Sequence, residues 1–357
     1  MRIERLVVPI VQAPMAGGPS TPALAAAVSG AGGLGFVAAG YKAPEAVRED
    51  IAATRALTDR PFGVNLFAPS GAPADPAAVR RYVQALKPAA ERAGVALGEP
   101  RFDDDRYEAK LELVLRERPA VVSFTFGCPE PDVVGRLREA GTAVWVTVTS
   151  PEEAGAAAAA GADALVVQGA EAGGHRGAFA DREDREDFGL LALLALGGAR
   201  VDVPLVATGG IATGRAVAAV LAAGAVAAAV GTAFMRCPEA ATSAPHRAAL
   251  ASPAGTGLTR AFSGRLARGI VNRLQAEHTA EAPIAYPELH HVTAPLRARG
   301  REAGNPDLIN LWAGQAHALA PELPAAELVA RLMEEAIAAT EDARRRLDSG
   351  SAPGLER

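Results

Sequence analysis

Residues 151–169, PEEAGAAAAAGADALVVQG, and residues 214–232, GRAVAAVLAAGAVAAAVGT, share one syntax. Each reads as a helix, an Ala-Gly-Ala break, a continuous apolar strand and a closing glycine. A strand with no polar alternation has no face toward water, which is the pattern of a parallel sheet covered on both sides. Two such units in one chain point to an α/β fold built by repeating strand and helix.

The same alternation extends outward over residues 6–230. Strands are expected at 6–12, 35–38, 62–66, 120–126, 143–148, 164–168, 204–208 and 226–230. Helices are expected at 21–29, 44–57, 76–93, 129–140, 151–160 and 214–223, mostly with proline in the first turn or glycine after the last. Eight strands in this length match a (β/α)8 TIM barrel, with a doubly wound open sheet as the competing architecture. The rhythm stops near Met235. Residues 236–306, rich in Pro, Gly, His and Arg, read as a smaller, inserted, mainly helical substrate domain. Residues 307–320 and 324–348 read as helices that return to the barrel, and 349–357 as a disordered tail. The barrel unit is therefore expected to comprise 1–235 and 307–348.

The 357 residues carry a net charge of −5, with no basic stripe to meet phosphates, which argues against a nucleic-acid partner. Arg344–Arg346 read as a solvated helix end. Two cysteines far apart, Cys128 and Cys237, form no metal or disulfide pattern and suit a reduced, cytoplasmic setting. Glu4 and Pro9 make the opening a poor signal peptide, and no run of about 18 apolar residues is free of breakers. A soluble protein acting on a small molecule is expected, with no membrane partner and with a homo-oligomer left open.

Function in a barrel collects at the C-terminal ends of its strands. After the seventh and eighth strands come Thr208-Gly-Gly-Ile211 and Gly231-Thr232. Barrels bind phosphate at those two positions, and glycine lets backbone N–H groups approach without a Cβ. Gly209, Gly210, Gly231 and the hydroxyl of Thr232 are the phosphate candidates; tight strand–helix turns would also account for the glycines. Asn65 and Gln168 follow the third and sixth strands, and each amide both donates and accepts. A flat heterocycle with mixed polar edges, such as a flavin or another base, fits them, as does a plain turn cap. His175 sits in Gly173-Gly174-His175-Arg176-Gly177, and its glycine setting at a strand end points to a catalytic group. Adjacent His290 and His291 lack carboxylate spacing, so no metal site is assigned. Cys128 reads as a structural thiol.

The chain resembles the nitronate monooxygenases. The matching stretches are PIVQAPMAGG, AVSGAGGLGF, FGVNLF, VVQGAEAGGHRG, PLVATGGI and VGTAFM, between residues 9 and 235, with further likeness at SGRLARGIVN and LWAGQ. The resemblance implies a barrel that binds FMN and oxidises alkyl nitronates, or nitroalkanes, with O2 to a carbonyl compound and nitrite. It implies that Met15, Asn65, Gln168, Gly173, Gly174, Gly209, Gly210, Gly231 and Thr232 line FMN and that His175 is catalytic. Thr125 departs from a Phe-His-Phe-Gly pattern of some members, which makes that side of the substrate pocket neutral; Tyr286 is the other pocket candidate. Flavin-dependent enoyl-acyl-carrier-protein reductases are also similar. They share the Gly-Gly-His turn, but often carry Glu in place of Gln168 and lack the Ala-Pro-Met-Ala-Gly-Gly opening. A flavin-binding protein without turnover and a phosphosugar barrel without flavin are the remaining alternatives.

Overall fold

The computed structural model describes residue 3, residues 6–69, residue 71 and residues 73–350. Eight parallel strands form the main sheet: β1 (Ile10–Gln12), β2 (Phe36–Ala38), β3 (Gly63–Phe67), β4 (Val121–Thr125), β5 (Ala143–Val148), β6 (Ala164–Gln168), β8 (Leu205–Thr208) and β9 (Ala227–Val230). They run in the order β1-β9-β8-β6-β5-β4-β3-β2. The two ends of that order nearly close the barrel. Gln12 N–H donates to Leu34 O at 2.9 Å, Leu34 N–H donates to Ile10 O at 3.0 Å, and the Gln12 side-chain Oε1 takes Phe36 N–H at 2.8 Å. A buried side-chain amide thus replaces the next rung of the ladder. All eight expected strands are present, and the TIM-barrel reading holds over the open sheet.

The helices follow the punctuation read from the sequence. Thr21 caps α1 (Pro22–Gly30), Ser150 caps α6 (Pro151–Ala159) and Thr213 caps α8 (Gly214–Ala222), each through its side-chain oxygen. The abundance of small residues has a steric origin. A Cβ on Gly35 would fall 2.0 Å from Ala25 O, so α1 lies directly on the barrel wall. On Gly214 it would fall 2.4 Å from Leu332 O, where the terminal helix α13 (Ala325–Gly350) crosses α8.

Two expected helices turn out differently. Residues 76–93 do form a helix, α3 (Pro76–Ala93), but it does not cover the barrel. Its Val79, Tyr82 and Leu86 join a separate core with Phe262, Leu274, Leu289, Val292 and Leu296. The helix on the barrel between β3 and β4 is α4 (Tyr107–Glu117), which the sequence reading passed over. An apolar stripe at helical spacing says that a face is buried and not against what. Residues 307–320 are not one helix. They form two 3-10 turns, Pro306–Leu308 and His317–Leu319, with extended chain between. That extended chain docks on a strand: Leu311 O accepts from Ile270 N–H at 2.8 Å.

A second, antiparallel sheet contains β7 (Gly174–His175), β10 (Thr256–Thr259) and β11 (Ala267–Ile270), in the order β10-β11-β7. It therefore joins the turn after β6 to the segment after the barrel. Four helices lie in that segment: α9 (Ala244–Leu250), α10 (Arg273–His278), α11 (Glu288–Val292) and α12 (Ala294–Glu302). Among the described residues no helix is long and apolar enough to cross a membrane. Residues 349 and 350 end α13, and the rest of the expected tail, 351–357, lies outside the described residues.

The α8–α13 crossing is testable. Gly214→Ala should destabilise the protein by about 1–3 kcal/mol by overpacking and lower the midpoint of thermal unfolding by several degrees; an unchanged midpoint would count against this contact.

Candidate active site

A cavity of about 450 Å³ opens at the C-terminal ends of the barrel strands. It is lined by Met15, Asn65, Thr125, Gln168, Gly173, Gly174, His175, Gly209, Gly210, Gly231 and Thr232, the residues singled out from sequence except one. Tyr286 stands behind the wall. Its ring packs on Phe126 and on His175, with centroids 5.6 and 5.8 Å away.

One end of the cavity is an anion cradle. Gly209 (φ 125°) and Gly210 (φ 67°) turn the chain out of β8. The N–H groups of Gly210, Ile211 and Ala212 donate to no protein acceptor among the described residues. Such a run of free amides attracts negative charge. Opposite, a Cβ added to Gly231 would meet Ala13 Cβ at 3.7 Å and Met15 Sδ at 3.9 Å, ordinary contact distances. Thr232 Oγ1 accepts from Gly314 N–H at 3.0 Å, so its own proton is free to donate.

The amides divide their work. Asn65 Nδ2 donates to the hydroxyls of Ser123 and Thr125, both at 3.0 Å, while Asn65 Oδ1 has no protein donor among the described residues. Gln168 holds the following turn: Oε1 accepts from Gly177 N–H at 2.8 Å and Nε2 donates to His175 O at 3.1 Å. One Gln168 N–H remains for a ligand. Gly173 is required for packing, because a Cβ there would lie 2.4 Å from Gly314 N. Free backbone amides and two amide side chains around one cavity fit a planar heterocycle that carries a phosphate.

His175 faces the cavity from β7 and is enclosed elsewhere by Phe126, Tyr286 and Trp312, with ring centroids 5.4–5.8 Å away. Nε2 lies 2.8 Å from Ser263 Oγ. Nδ1 has no protein partner among the described residues, and the His175 side chain lines the cavity. Burial, and then the guanidinium groups of Arg265 and Arg297, push the imidazole from 6.5 down to about 3. The ring is therefore neutral at physiological pH.

Among the cavity residues to which the sequence reading gave no role are Tyr41, Arg297 and His290. Tyr41 follows β2 in a left-handed conformation (φ 66°), and its ring stacks on His290 at 4.1 Å. Its backbone N–H is held by Asp105 at 2.9 Å, and Asp105 is held in turn by buried Lys110 at 2.6 Å. Applying the strand-end rule to the second strand would have found Tyr41. Arg297 on α12 is buried, bonds His290 O at 2.6 Å through Nη2, and has no carboxylate partner among the described residues. Burial pushes it down to about 10, so it keeps its charge. No sequence signal marked Arg297, and the His290–His291 pair gave no pointer to the cavity. Cys128, half-buried, is raised to about 11 by burial and stays a thiol.

A model of the nitronate monooxygenase family matches residues 2–335. The chain is 47% identical to the nitronate monooxygenase of Pseudomonas aeruginosa over 336 residues, 92% of this chain and 95% of that one. It is 43% identical to the nitronate monooxygenase of Paraburkholderia phytofirmans, covering 92% of each. The crystal structure of nitroalkane oxidase from Streptomyces ansochromogenes has the same fold, with a TM-score of 0.92 and 50% identity over 95% of this chain and 98% of that one. The chain belongs to the nitronate monooxygenase family, whose members are flavin-dependent oxidoreductases.

Proposed function

We propose that this chain uses FMN and O2 to oxidise alkyl nitronates to a carbonyl compound and nitrite, and that it forms the nitronate from a nitroalkane when given one. The observation that carries the proposal is a neutral imidazole, His175, that lines a cavity with an anion cradle and has one nitrogen without a partner among the described residues. The likeness to proteins named for nitronates and nitroalkanes supports it, and favours neither the reductase alternative nor a flavin binder without turnover.

In this reading Gly209, Gly210, Gly231 and Thr232 hold the single phosphate of FMN. Asn65 Oδ1 and the remaining Gln168 N–H would hydrogen-bond its ring, and Met15, Gly173 and Gly174 would line the space it takes. The bound flavin supplies electron acceptance and reactivity toward O2. His175 Nδ1 takes the α-proton of a nitroalkane, and the C–H electron pair becomes the C=N bond of the nitronate. Arg297 Nη1, without a protein partner among the described residues, offers charge to that anion. Thr125 adds a neutral hydroxyl, while Tyr286 shapes the pocket through Tyr41, to whose Oη it donates at 3.2 Å. The substrate side is drawn as residues 236–306 together with α3, whose side chains share one core. Both cysteines are free, which accords with a cytoplasmic setting.

His175→Ala should retain the flavin absorbance yet lose about 10²–10⁴-fold of nitrite release from a nitroalkane; full activity in that variant would sink the assignment. Because the imidazole is pushed from 6.5 to about 3, its neutral, proton-accepting form persists as pH falls. Turnover of a neutral nitroalkane should therefore be level between about pH 5 and 7, whereas an ordinary histidine would lose activity there. A pH–rate profile with an acid limb near 6.5 contradicts this. Gly210→Ala places a Cβ at positive φ, 3.0 Å from Glu171 Cβ. It should weaken FMN binding on the order of tenfold, read by fluorescence titration of the deflavinated protein; unaltered affinity would place the phosphate elsewhere.

A further inference from the structure

The segment SGRLARGIVN begins at Ser263, 88 residues beyond His175, and the chemistry above leaves it without a part. Ser263 is 2% exposed, and its Oγ lies 2.8 Å from His175 Nε2. The same hydroxyl donates to Arg265 O at 3.2 Å. A serine hydroxyl has one proton. With that proton on Arg265 O, Oγ meets the ring as an acceptor, and Nε2 must carry the hydrogen. Both contacts are satisfied together in one arrangement, Nε2–H···Oγ–H···O=C. Nδ1 is then the unprotonated nitrogen; it has no protein partner among the described residues, and the ring that carries it lines the cavity.

We propose that Ser263 is a positioning residue that holds His175 in the Nε2–H tautomer, so that the Nδ1 lone pair faces the substrate and neutral nitroalkanes can be used. This rests on the reading of His175 as a base. The backbone on both sides is fixed. His175 is paired in register with Ala267 of β11. Gly264 N–H donates to Arg260 O at 2.8 Å, and the Arg265 guanidinium bonds the carbonyls of Arg176 and Ala178 across from it. Ser263 and the ring therefore cannot drift apart without breaking a ladder.

The tautomer decides what the site accepts. With Nδ1 bare, the α-C–H bond of a nitroalkane breaks, an Nδ1–H bond forms, and the electron pair moves into C=N. The product pair is imidazolium and nitronate, with no net change of charge. With Nδ1–H in its place, the same nitroalkane meets a donor and no base. A ready-made nitronate needs no proton removed, so it is far less sensitive to the tautomer.

Ser263→Ala removes the acceptor and leaves a buried Nε2–H unsatisfied, which drives the ring toward Nδ1–H. The test uses the flavin-loaded protein with ¹⁵N-labelled imidazoles. The His175 signals, out of 6 histidines, are identified by their loss in His175→Gln. In the unsubstituted protein Nε2 should appear protonated and Nδ1 bare, and Ser263→Ala should shift the ring toward Nδ1–H. Its kcat on a nitroalkane should fall about 10–100-fold with KM changed little, while turnover of the corresponding nitronate falls much less. Ser263→Cys keeps the volume with a weak acceptor and gives the same readouts if the alanine variant does not fold. Nδ1–H in the unsubstituted protein overturns the proposal. So does an unchanged tautomer, or an unchanged nitroalkane-to-nitronate ratio, in the variant. Nitrite from neither substrate in the unsubstituted protein overturns the functional reading itself, and the tautomer spectra then still decide whether Ser263 sets the ring.

Discussion

The turn that carries His175 is also a strand of the second sheet, and this double membership organises the molecule. The segment from Gln168 to Ala178 leaves the barrel and runs under the later chain, where its backbone polar groups need partners. Four sets of contacts around His175 supply many of them. Gln168 bonds His175 O and Gly177 N–H; β11 pairs with β7; Arg176 Nη1 bonds the carbonyls of Gln168 and Gly169; Arg265 bonds those of Arg176 and Ala178. Barrel and insertion are thus joined at the turn that carries His175 and not merely stacked beside it. A histidine at the tip of a free loop would have neither a fixed distance to the cradle nor a fixed tautomer.

The electrostatics follow from the same enclosure. Arg265 lies over the Phe126 ring at 4.1 Å, and Arg297 is buried in the cavity wall. Burial first, and then their combined field, keep His175 neutral, and the same field makes the cavity receptive to an anion. The two effects are complementary. In the proposed reaction, a base that is neutral at the start would become charged beside the anion it makes, in a site whose fixed cations favour that anion. The Thr125 hydroxyl, hydrogen-bonded to Asn65 at 3.0 Å, adds no charge of its own. Positive charge therefore enters this pocket from α12 and not from β4.

Much of the cofactor side was readable along the chain. Continuous apolar strands, proline and glycine at helix ends, and glycines after the seventh and eighth strands are local features with local causes. They led to the barrel and to Gly209, Gly210, Gly231 and Asn65 at its mouth. The substrate side was less readable. The stripe on 76–93 fits a barrel helix and a second core equally well, and the structure uses it for the second core. Tyr286 was identified as pocket-lining, yet Tyr41 takes the lining position and Tyr286 supports it from behind.

What the sequence by itself determined is the set of elements and the order of strand ends, because hydrophobic period and backbone conformational preference act within a few residues. What the tertiary structure alone decided is which distant groups meet at His175. Ser263 lies 88 residues away in sequence, yet 2.8 Å away in space. Arg297 and Trp312 arrive from farther still. Nothing local to these residues announces the meeting, since their positions depend on how a second sheet and core pack against the barrel. The histidine is written in the chain, but its protonation and its tautomer are properties of the fold.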